Sequence, residues 1–111
     1  MTIFEVQAAL EAVAPCYIDV LPQSQDTGIT VSLVIALGQE HESGAARAEQ
    51  STFMVRVFSR AFRAADQAVV DSAVTALRGA GLYITNRGPL IRAENAQYWQ
   101  YNITATSWEA L

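Results

Sequence analysis

Ile29-Thr30-Val31-Ser32-Leu33-Val34-Ile35-Ala36-Leu37 is the stretch on which the fold turns. Its odd positions, 29 to 37, are all large and apolar, while Thr30, Ser32 and Ala36 take most of the even ones. Side chains alternate between the two faces of a strand, so this spacing predicts a half-buried strand, central in its sheet.

Downstream, Gly38 to Ser51 is polar and small and has no period of two. It is expected as a long loop, and loops of that length are usually functional or mobile. Alternation returns at Thr52 to Ser59, with Phe53, Val55 and Val57 on one face and Met54, Arg56 and Phe58 on the other. A hairpin with the preceding strand is the simplest pairing.

Asp66 is placed to cap a helix running to about Arg78, in which Val70, Ala73, Val74 and Leu77 form the apolar stripe and Gly79 or Gly81 the stop. A strand at Leu82 to Thr85, a turn at Asn86 to Pro89 and a short piece at Leu90 to Ala93 are expected next. A last strand from Tyr98 to Ser107 sets Trp99, Tyr101, Ile103 and Ala105 against Gln100, Asn102, Thr104 and Thr106.

Upstream, Thr2-Ile3-Phe4-Glu5 has the spacing of a capping box. Ile3, Val6, Leu10 and Val13 follow at helical spacing until Pro15 stops them. Cys16 to Leu21 reads as a short strand ended by Pro22, and the polar run to Gly28 as a turn. The order is then α-β-β-β-α-β-β. One apolar sheet face and two amphipathic helices predict an α+β two-layer sandwich, with a mainly antiparallel sheet of four to five strands and both helices on one face.

The chain has 111 residues, 51% of them hydrophobic, which suits one domain over 1–111 with a core that needs no staple. Its net charge is -4, and its seven basic residues are all arginine. Nucleic-acid binding by sequence readout is not expected of such a chain, because phosphates would be repelled. Arginine without lysine fits either a GC-rich coding bias or guanidinium groups kept for protein interfaces. The single cysteine, Cys16, and the lack of an export signal or a long apolar run point to the cytoplasm and away from membranes.

Catalytic and metal chemistry find little footing. His41, the one histidine, lies between Glu40 and Glu42, but neighbours in a loop share no enforced geometry and a closed zinc site needs more ligands. Cys16 begins an apolar strand without a base to activate it and reads as a core residue. The glycines at 79 and 81 follow a helix instead of leading into one, unlike a phosphate loop. Asn102-Ile103-Thr104 matches a glycosylation pattern by chance, mid-strand. No catalytic residue, metal or cofactor is expected.

The outer sheet face stands out. Val34, Met54, Phe58 and Tyr98 are expected there among hydroxyl and amide side chains, a charge-poor composition typical of protein interfaces. Scattered exposed apolar residues are also ordinary on any surface. Arg56, Arg60 and Arg63 cluster near the end of the third strand, either as an anion patch or interface clamp or as a solvated face.

Tyr17-Ile18-Asp19-Val20-Leu21-Pro22-Gln23, the strand Ile29 to Gly38, Phe53-Met54-Val55-Arg56-Val57-Phe58-Ser59 before an alanine-rich helix, and Trp99-Gln100-Tyr101-Asn102-Ile103-Thr104 occur in an order that resembles the tail terminator, or tail completion, proteins of long-tailed phages and prophages. The chain departs from that pattern where Thr27-Gly28-Ile29 replaces a proline-aromatic pair. The resemblance implies a non-enzymatic subunit of a homo-oligomeric ring, a hexamer, found in the host cytoplasm during assembly and then in the virion tail. The ring would end polymerisation of the major tail tube protein and meet the head-tail connector protein.

On that reading Val34, Met54, Arg56, Phe58, Arg60, Arg63 and Tyr98 make subunit contacts. The mobile segment carrying Glu40, His41, Glu42 and Arg47 faces the tube or the lumen. The competing reading is a small-molecule-binding or regulatory module that dimerises through its sheet, with Trp99, Tyr101 and Phe53 lining its pocket.

Overall fold

The computed structural model describes residues 1–22, 25–40, 46–92 and 97–110. Helix α1 (Ile3–Glu11) opens the chain, followed by β1 (Cys16–Ile18), β2 (Thr27–Glu40) and β3 (Ala46–Ser59). Helix α2 (Ala64–Gly79), β4 (Tyr83–Ile91) and β5 (Trp99–Ala110) complete it. The expected α+β class and element order hold.

The strands form one five-stranded sheet in the order β1-β2-β3-β5-β4. Only β1 and β2 run parallel; the other neighbours are antiparallel. The centre is therefore β3 and not β2. The reason lies in β5, which pairs with β3 from Ser59↔Trp99 to Ala48↔Ala110 and so covers its second edge.

Both helices pack on one sheet face. Val6 and Leu10 of α1 and Val70, Ala73, Val74 and Leu77 of α2 share a buried cluster with Ile29, Val31, Phe53, Val55, Val57, Ile103 and Ala105. These are the apolar stripes the sequence spacing marks. Burying one such side chain contributes about 1.5–3 kcal/mol, so this cluster is the main stabilising term.

Local chemistry sets the helix ends. The Thr2 hydroxyl accepts from the Glu5 amide at 3.2 Å while the Glu5 carboxylate accepts from the Thr2 amide at 3.4 Å, completing the expected capping box. Asp66 is not the residue before α2, as expected, but the third residue within it. From there its carboxylate accepts the Arg63 amide at 2.8 Å. At the far end the Leu82 amide reaches the Leu77 carbonyl and the Gly81 amide the Arg78 carbonyl, both at 3.0 Å. That pair of bonds around a residue at φ 94° is a Schellman stop, closed by contact of the buried Leu77 and Leu82.

Two departures from expectation concern stretches whose sequence shows no alternation. Residues 38–40 and 46–51, expected as loop, are strand, with Gly38 paired to Glu49 and Gln39 to Ala48. The pairing of β2 with β3 thus continues through a stretch that is polar and small in sequence, with no period of two to mark a strand. Asn86 to Pro89, expected as a turn, is part of a continuous β4 whose pairing slips between Ile84 and Asn86 and again between Arg87 and Leu90. Gly88 at φ 91° and the cis Gly88-Pro89 peptide lie in the second slip. Pro89 is tolerated because β4 is an edge strand and Pro89 falls in its second slip, where the ladder is interrupted.

The β2 stripe is also divided. Leu33 pairs with Phe53 but Ile35 pairs with Thr52, so a bulge at Val34 changes the pairing parity. Ile29 and Val31 serve the core, whereas Leu33 is exposed.

Candidate interface on the outer sheet face

The face opposite the helices is built from the even-numbered residues of β3 and their partners. Its rows read Tyr17, Thr30, Arg56 and Asn102, then Ser32, Met54 and Thr104, then Thr52, Thr106 and Tyr83. No helix covers these rows. Thr52 and Thr106 bond to each other through their hydroxyls at 3.2 Å, and the Thr104 hydroxyl lies 3.9 Å from the Met54 sulfur. Hydroxyl, amide and thioether groups cost less to dehydrate than full charges, provided the hydroxyls and amides keep hydrogen-bond partners.

The residues proposed as contacts divide into three groups. Val34, exposed at the bulge, and the half-buried Met54 and Arg56 lie on or beside the open part of the face. Among the described residues no carboxylate pairs with Arg56. It is a cation in an otherwise uncharged patch.

Phe58, Tyr98 and Arg60 form a cluster at one end. Phe58 meets Tyr98 edge to face at 6.1 Å, and the Arg60 guanidinium lies 5.2 Å over the Tyr98 ring. The Tyr98 hydroxyl donates to the Gln25 carbonyl, and Arg60 bonds Asp26, which raises the guanidinium pKa further. Leu21 also reaches over Gly28, where an added Cβ would stand 2.6 Å from Leu21 Cδ1. The segment between β1 and β2 is thus fastened to this end of the face. Arg63 stands apart, exposed at the start of α2. Glu40 lies in β2 and Arg47 in β3, while His41 and Glu42 fall outside the described residues.

Sequence reading missed Tyr83, 67% exposed, Trp108, 47% exposed, and Ile91, 41% exposed. Register places all three with the outer rows, since Tyr83 pairs with Thr106, Trp108 with Gln50 and Ile91 with Gln100. The signal for Trp108 was the unbroken alternation of β5, which carries on past Ser107.

Cys16 is buried, and burial first and then the Glu11 charge push its thiol up to about 12. It is held as a neutral core group. Among the described residues no group of three or more His, Cys, Asp or Glu is placed to hold a metal. Among the described residues no helix is long and apolar enough to cross a membrane.

The molecule is a two-layer α+β sandwich whose sheet is covered on one side and bare on the other. The same fold is found in a chain of the virion of a native gene transfer agent particle, 19% identical, with a TM-score of 0.53 over 96% of this chain and 85% of that one. A second solved structure, 13% identical, is similar with a TM-score of 0.56 over 100% of this chain and 96% of its own. At such identities the likeness concerns the fold. No protein-family model matches the sequence, and no curated protein matches it.

Proposed function

We propose that this chain is a structural protein of a phage-like particle, and within that class a tail terminator. It works without catalysis, as one subunit of a ring, a hexamer, that caps the tail tube, ends its polymerisation and presents a surface to the head connector. The observation that carries the reading is the nearly full-length likeness to a chain of a gene transfer agent virion. The bare, charge-poor sheet face supports it, because such a surface suits a subunit completed by assembly. Its working sites are then the host cytoplasm during assembly and the finished tail. The β2–β3 hairpin, which extends past the helices, reaches toward the tail tube or the ring lumen.

Light scattering over a concentration series tests the ring directly. A species near six times 12.1 kDa, or a monomer that converts to one on concentration, is the expected result. A dimer at every concentration would instead favour the ligand-binding module. In a particle-producing strain, disrupting the gene should leave headless tails of uncontrolled length.

A further inference from the structure

Among the described residues the charge-poor sheet face is one uncovered surface, and a second lies on the opposite layer. Helix α1 buries Val6 and Leu10 and turns Phe4, Ala8, Glu11 and Ala12 to solvent, with Phe4 67% exposed. Those four recur at i, i+4, i+7 and i+8, which places them on one stripe of the helix. A helix on a monomer's surface normally carries charge there. Here the stripe offers a phenyl ring, two methyl groups and one carboxylate. No basic residue occurs anywhere in α1.

The two surfaces complement each other. The sheet face supplies Arg56 without a carboxylate partner among the described residues, set between Thr30 and Asn102 with Met54 in the next row. The α1 stripe supplies Glu11 with no cation on its own helix, set among small and aromatic side chains. An unpaired charge in the middle of a surface that loses water costs association free energy unless the partner neutralises it. Because the two surfaces lie on opposite layers, one copy can use both at once.

We infer that the sheet face of one copy receives the α1 stripe of the next, with Arg56 against Glu11 and Phe4 packed on the Met54 side of the sheet. The occupant is a second copy of this chain, and the contact is head to tail. Repeating a head-to-tail contact generates a closed ring when its rotation closes. The inference rests on the ring reading and supplies the contact that would build it.

Charge reversal tests it, with the solution mass as readout and circular dichroism confirming each fold. Arg56→Glu and Glu11→Arg should each remain monomeric where the unmodified chain assembles, weakening association by about tenfold or more, because each sets like charges together. Mixed in equal amounts, the two variants should assemble again, since every contact in an alternating ring then joins opposite charges. If the unmodified chain forms rings that neither reversal disturbs, the contact is overturned and the ring reading stands. Reversals that each block assembly but do not rescue one another also overturn the pairing. A chain that stays monomeric at every concentration overturns both the contact and the ring.

Discussion

Gly81 adopts φ 94° at the end of α2, in the left-handed region that side chains with a Cβ resist. Nothing lies within 4 Å of the Cβ that alanine would add, so the effect of Gly81→Ala isolates backbone conformation from packing. We expect it to cost about 1 kcal/mol in urea unfolding, and Gly79→Ala, in the last helical turn with equally open space, to be neutral or stabilising. Cys16 gives a second residue-scale expectation. The native state keeps a thiol proton that the unfolded chain releases above its ordinary value of 9.0, so this contribution is complete below pH 9 and declines as pH rises toward about 12. Native protein at pH 8 should react slowly with a thiol reagent and quickly once denatured. At this scale much was legible: the Thr2–Glu5 box, the glycine stop and the buried cysteine follow from local rules about caps and apolar neighbours. Asp66 was recognised as a capping residue but assigned three positions early, because a carboxylate three residues into a helix can cap by reaching back.

Among the elements, β3 is the one that packs the most. Phe53, Val55 and Val57 are all buried, and β3 contacts both β2 and β5 along its length. Phe53→Ala should cost about 3–5 kcal/mol by calorimetry or denaturant titration, more than any change on the outer face. The strands were readable where one face meets the helices, since burial forces a period of two there. Residues 46–51 carry no such period in the sequence, which is why they read as loop although they pair in register. Deleting residues 40–49 removes part of this hairpin and none of the core found among the described residues. The shortened protein should keep its melting temperature within a few degrees, and on the proposed tail terminator reading it should fail to support infectious tails when supplied in place of the intact chain.

For the whole molecule, the projecting hairpin sets the shape. The radius of gyration is 15.2 Å with principal extents of 52 × 27 × 22 Å. A compact domain of this length would have a radius near 13 Å. Past Val31, β2 has no β1 neighbour among the described residues, so its backbone from Ser32 to Glu40 is an open edge. The other edges are a three-residue strand and a β4 broken by two slips and a proline, both poor templates for further pairing. Sequence reasoning found the layers and the bare face but not this outline. Overall shape depends on which strands stop together, and pairing partners far apart in the chain leave no local trace.

The position of β5 between β3 and β4 also bears on how the protein is made. The ribosome delivers β1, β2, β3, α2 and β4 before β5, yet β4 has no other strand to pair with and β3 would wait with one side open. The sheet therefore closes only when its second most interior strand emerges, after every other element has been synthesised. A nascent chain halted before Trp99 would lack the strand that joins β4 to β3, so only a translated chain that includes β5 can display the continuous face on which neighbours would dock.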